Sequence, residues 1–176
     1  LWRALQKVDV GRADEAAQNL IQRYPLTYYG LRARAETSGG TLKWPQTLSE
    51  PITMDLKLTT NEFLAWERFN LLLRAGWFAE AQAELKVLPE PQTAREMVIY
   101  AHMWFSAMNH FKATQLMQKA WELDPSLFTV ELLRIAYPFE YMTFINKEVQ
   151  KNSLDPTLVL SLIRQESSFR QAAESP

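Results

Sequence analysis

Gly76-Trp-Phe-Ala-Glu-Ala81 decides how the chain is read, because two other stretches share its pattern: Gly11-Arg-Ala-Asp-Glu-Ala16 and Asn109-His-Phe-Lys-Ala-Thr114. Each opens an amphipathic helical run, and each run ends at a proline: Pro25, Pro89 and Pro125. A proline stops a helix because it lacks the N–H and its ring clashes with the preceding turn. Gly11 and Gly76 lie 65 residues apart and Gly76 and Asn109 33, so the first interval is close to twice the second. Glycine and asparagine tolerate left-handed backbone best, which places Gly76 and Asn109 where a preceding helix ends. Ala16 and Ala81 are small enough to let paired helices approach closely.

Self-similarity at a period near 33 or 34 predicts stacked helix hairpins of the tetratricopeptide kind. Strand signals are scarce. The expected fold is therefore all-α, a right-handed superhelix of helix hairpins over residues 1–136. Trp66, Phe69, Leu72 and Leu73 fill the space between layers in this reading, and Asn61, Thr93 and Asp155 cap the helices that follow them. Tyr24, Tyr28 and Tyr29, like the other aromatics, are read as packing rather than ligand stacking. Between Thr37 and Thr60, Gly39, Gly40, Pro45 and Pro51 interrupt all helical periodicity. An extended connection is expected there in place of one hairpin.

Composition excludes several functions. Nineteen Lys and Arg against 20 Asp and Glu leave no basic excess, which argues against nucleic acid as a ligand. Without cysteine there is no disulfide framework and no thiol nucleophile. His102 and His110 are the two histidines, and no third ligand stands at a matching spacing, so no metal is expected. No apolar run approaches the roughly 20 residues that span a bilayer, so no transmembrane segment is expected. Leu1 opens no signal peptide, and a start at leucine points to a mature or excised fragment.

The segment Ser153-Leu-Asp-Pro-Thr-Leu-Val-Leu-Ser-Leu-Ile-Arg-Gln-Glu-Ser-Ser-Phe169 carries the chemistry. Asp155 followed by Pro156 is a strong helix start. At about 100° per residue, Leu158, Val159, Leu162, Ile163 and Phe169 fall on one stripe, with Glu166 near its middle. A carboxylate on a core face is costly unless paired or protonated. The helix C-terminus disfavours its negative charge as well. Both effects raise a carboxyl pKa toward the range where it acts as a general acid near neutral pH. On periodicity alone, a structural ion pair with a neighbouring Arg or Lys explains Glu166 at least as well.

A resemblance favours the catalytic reading. Leu158-Val-Leu-Ser-Leu-Ile-Arg-Gln-Glu-Ser-Ser-Phe169, followed by Ala173, Ser175 and Pro176, resembles the opening motif of the lytic transglycosylase catalytic domain. Tyr137-Pro138 and Leu154-Asp155-Pro156 resemble the segment leading into it. Tyr24-Pro25 with Tyr29-Gly30 resembles an element in the helical superstructure of the family's soluble, multi-domain branch. The match is close over residues 137–176 and loose elsewhere. It implies a superhelical domain over 1–136, then the first helix or helices of a truncated, lysozyme-like catalytic domain over 137–176.

The resemblance also implies an activity. Such enzymes cleave the β-1,4 bond between N-acetylmuramic acid and N-acetylglucosamine in peptidoglycan without water. Glu166 would protonate the glycosidic oxygen, then take a proton from the sugar's own 6-hydroxyl, which closes on C1 as a 1,6-anhydro ring. Ser167 would be its hydrogen-bonding support. No cofactor or metal is implied. The partners implied are peptidoglycan glycan strands and other cell-wall proteins, and the location is periplasmic. The family's Gly-Leu-Met-Gln segment and later groove residues are missing after Pro176, so the chain alone is expected to be inactive. The alternative is a non-enzymatic helical scaffold that binds a peptide or protein partner.

Overall fold

Side-chain caps fix most helix starts in the computed structural model, which describes residues 9–24, 28–40, 47–53, 56–170 and 172–174. The chain divides into two compact units, Leu1–Gln46 and Thr47–Pro176. In the first, Asp9 accepts a hydrogen bond from Arg12 N (3.1 Å) and starts α1 (Val10–Arg23), which pairs with α2 (Tyr28–Thr37). Ala13, Ala17 and Ala33 form the buried centre of this pair. Gly30 allows the contact: a Cβ there would lie 1.8 Å from the Tyr24 carbonyl oxygen and 3.2 Å from that of Leu20. Only a residue without a side chain fits. Tyr24 and Tyr29 are more than half exposed, so these two do not serve as the expected packing. Pro25 lies outside the described residues, as does the Tyr28 side chain.

In the second unit, three threonines start alternate helices. Thr59 caps α3 (Thr60–Arg74), Thr93 caps α5 (Ala94–Ser106) and Thr129 caps α7 (Val130–Ala136). At the first two, Glu62 and Glu96 bond back to the cap residue's N–H and complete a capping box. Thr59 thus holds the position expected of Asn61, which lies inside α3. Thr93 caps as expected. Between these helices run α4 (Phe78–Leu85) and α6 (His110–Leu123), paired with α3 and α5 respectively. Two short 3-10 turns follow, Pro125–Leu127 and Phe139–Tyr141, then α8 (Met142–Asn152) and α9 (Pro156–Ser167). The described residues contain nine α-helices and no strand, so the fold is all-α. Residues 47–53 and 56–59, in the interrupted stretch, are non-helical as expected.

Consecutive helices pair, α1 with α2, α3 with α4 and α5 with α6, but the register between them differs from the sequence reading. Gly76 does take left-handed backbone (φ +75°). Its counterpart in the next hairpin is Met108 (φ +61°), not Asn109. Asn109 has φ −100° and caps α6, its side chain accepting from Lys112 N at 3.1 Å. Asparagine is a left-handed residue and also a good N-cap, and the second role wins here. Counted from each helix start, Ala13, Ala81 and Ala113 align, each fourth in its helix and each almost fully buried, a shift of one residue from Thr114 and of three from Ala16. Ala16 is only partly buried. The two hairpins are joined by Gln82, which donates to the Ala107 carbonyl (2.8 Å) and accepts from Asn109 Nδ2 (2.9 Å).

Candidate functional site

Asp155 builds the helix that bears Glu166. Its carboxylate accepts from Thr157 N (2.8 Å) and Thr157 Oγ1 (2.6 Å), and Pro156 occupies the first helical position. These bonds, the Thr157 hydroxyl foremost, hold the Asp155 carboxyl below the usual carboxylate range. The helix ends in two successive left-handed non-glycine residues, Ser168 (φ +47°) and Phe169 (φ +63°). Such backbone costs about 1–2 kcal/mol per residue, so surrounding contacts must hold it. Phe169 supplies one: it is buried and stacks on Tyr141 with ring centroids 5.5 Å apart and planes 6° from parallel.

The helix buries a different face from the one periodicity suggests. Leu160 is buried with Ile145, Val149 and Phe169, while Val159 and Ile163 pack partly against them. Leu158 and Leu162 remain half exposed, at 54% and 51%, and Glu166 is exposed beside them. Apolar residues at 158–160 and 162–163 cover an arc wider than one helix face can bury against a single neighbour. Hydrophobicity alone therefore leaves the buried centre undetermined. Tertiary packing places it at Leu160 and Ile163, roughly a quarter turn from Glu166. The expectation that Glu166 lies on the core face is corrected accordingly: its carboxylate is open to solvent.

Two further residues of the motif are placed by their own bonds. Ser167 Oγ donates to the Ile163 carbonyl (2.9 Å) and accepts from Phe169 N (3.1 Å). A hydroxyl has one proton to give, so Ser167 supports the left-handed helix end, not the Glu166 carboxylate. Arg164 Nη1 donates to Tyr137 Oη at 2.6 Å, and its guanidinium carbon lies 4.5 Å from that ring's centroid. Arg164 is therefore turned toward Tyr137. Among the described residues no ion pair or hydrogen bond engages Glu166, so the structural ion pair finds no partner there. No group of three His, Cys, Asp or Glu that could hold a metal comes together among the described residues. No described helix is long and apolar enough to cross a membrane.

A second site involves Trp66, Phe69 and Leu73, which the sequence reading assigned to packing between layers. One face of α3 (Trp66, Phe69, Asn70, Leu73) and one face of α5 (Ile99, His102, Met103, Ser106) line a pocket of about 670 Å³. Glu131 and Leu132 of α7 complete its wall. Comparison with known proteins finds no match to any family model, any curated protein or any solved structure.

Proposed function

We propose that the chain is the helical part, with the start of the catalytic domain, of a periplasmic peptidoglycan lytic transglycosylase. Its superhelix of hairpins would precede a lysozyme-like domain that begins near Tyr137. Glu166 is the acid that protonates the glycosidic oxygen and then the base that deprotonates the sugar's 6-hydroxyl. One carboxyl group suffices, because the nucleophile belongs to the substrate and is already near C1. Ordinary glycosidases need two, one for the leaving group and one for water or attack on the sugar.

The observation that carries the reading is the unengaged Glu166 carboxylate on an outward helix face, in an Arg-Gln-Glu-Ser setting whose Arg and Ser are committed elsewhere. A glutamate that served as half of a structural ion pair would meet a cation. The half-exposed Leu158 and Leu162 beside it offer an apolar wall of the kind a sugar cleft uses to exclude water.

Two outcomes test it. The present chain should release no anhydromuropeptides from purified sacculi, since Glu166 is uncovered. The natural full-length protein should release them, and Glu166→Gln should abolish release while its melting temperature stays within about 1 °C. A surface carboxylate without partners contributes little to stability. A fall of several degrees in Glu166→Gln would return the residue to a structural role.

A further inference from the structure

His102 and Glu131 line both the pocket between α3, α5 and α7 and a neighbouring one of about 520 Å³, which Arg134, Ile135, Phe139 and Glu140 also line. Together they make one groove with an apolar end and a charged end. At the apolar end Leu48, Pro51 and Ile52 line the same pocket as Trp66 and Leu73. This stretch is non-helical, and no backbone–backbone hydrogen bond holds residues 47–52 among the described residues. An ion pair at its edge, Glu50 with Arg95 at 3.2 Å, joins exposed side chains and so is weak. The groove thus accepts non-helical polypeptide through side chains alone, and the chain's own segment fills only part of it.

Carboxylates outnumber cations at the other end, two Glu against one Arg. Glu131 and Glu140 are both exposed there, and neither makes an ion pair among the described residues; Arg134 is the one guanidinium lining that end. Phe139, 58% exposed, offers an apolar surface beside them. We propose that this groove is a binding site for a non-helical peptide that places a basic side chain between Glu131 and Glu140 and an apolar one against Phe139 and Ile135. Glu166 does not line either pocket, and the proposal does not depend on the reading of that residue. It gives the helical part of the chain a recognition role, with residues 47–52 as a neighbour that a longer peptide could displace.

The test uses the whole chain and two fluorescein-labelled octapeptides, one built of Leu, Pro and Lys and one with each Lys replaced by Glu. Fluorescence anisotropy should show saturable binding of the lysine peptide and at least about tenfold weaker binding of the glutamate peptide. Glu131→Lys with Glu140→Lys should weaken the lysine peptide about tenfold or more at unchanged melting temperature, because both side chains are exposed. Two results would overturn the proposal: lysine-peptide binding that survives the double substitution, or no binding of either peptide. Displacement of the lysine peptide by a tetramer of N-acetylglucosamine would also overturn it, by assigning the groove to glycan.

Discussion

His110 is buried to 2% exposure, and neither ring nitrogen has a hydrogen-bond partner among the described residues. It stands edge-on to Phe105 (4.8 Å) and to Tyr141 (5.4 Å), and Tyr141 in turn stacks on Phe169. At the start of α6, His110 thus links the last turn of α5, through Tyr141, to the end of the helix that bears Glu166. Burial pushes its pKa below the ordinary 6.5, against an opposing influence from Glu140. When pH falls below about 6.5 the unfolded chain takes up a proton that folded His110 resists, so stability declines. The melting temperature should therefore drop between pH 7 and pH 5.5, and His110→Leu should drop less over that interval. Equal slopes for the two proteins would mean that His110 does not set this pH dependence. The contacts of Tyr141 with His110 and Phe169 were not legible in the sequence, where they lie 31 and 28 residues away.

At the level of the helical element, the hairpin repeat was legible because small residues recur where helices must touch. The register error was one residue at Asn109, whose type suits either a helix end or a helix start, and three in the first hairpin, where Gly11 lies inside α1 instead of ahead of it. Met108 bears the consequence, holding φ +61° without glycine's freedom. Met108→Gly should stabilise the chain by about 1 kcal/mol by relieving that left-handed strain. Chemical denaturation reads it directly, and an unchanged or lower midpoint would mean that the Met108 side chain outweighs its backbone. Ala113, fully buried at the centre of α6, should behave oppositely. Ala113→Leu forces added methylenes into close-packed helices and should cost about 1–3 kcal/mol. The same change at the partly buried Ala16 should cost less. If Ala16 proved the more sensitive, the register that aligns Ala13, Ala81 and Ala113 would be wrong.

Across the whole molecule, two things were readable in different ways. The all-helical class followed from periodicity and capping residues, since Thr93 and Asp155 act as their types predict. The candidate site followed from a short motif, whose burial periodicity could not supply because α9 is apolar over too wide an arc. The structure leaves Glu166 exposed, so the catalytic reading rests on chemistry that needs only one carboxyl group. That chemistry has a consequence no hydrolase shares. A full-length enzyme acting on sacculi in water enriched with oxygen-18 should yield anhydro ends that carry no heavy oxygen at C1, and the Glu166→Gln form should yield no such ends. Incorporation of oxygen-18 at C1 of the new reducing ends would mean that water is the nucleophile, and would contradict the proposed acid-then-base role of Glu166.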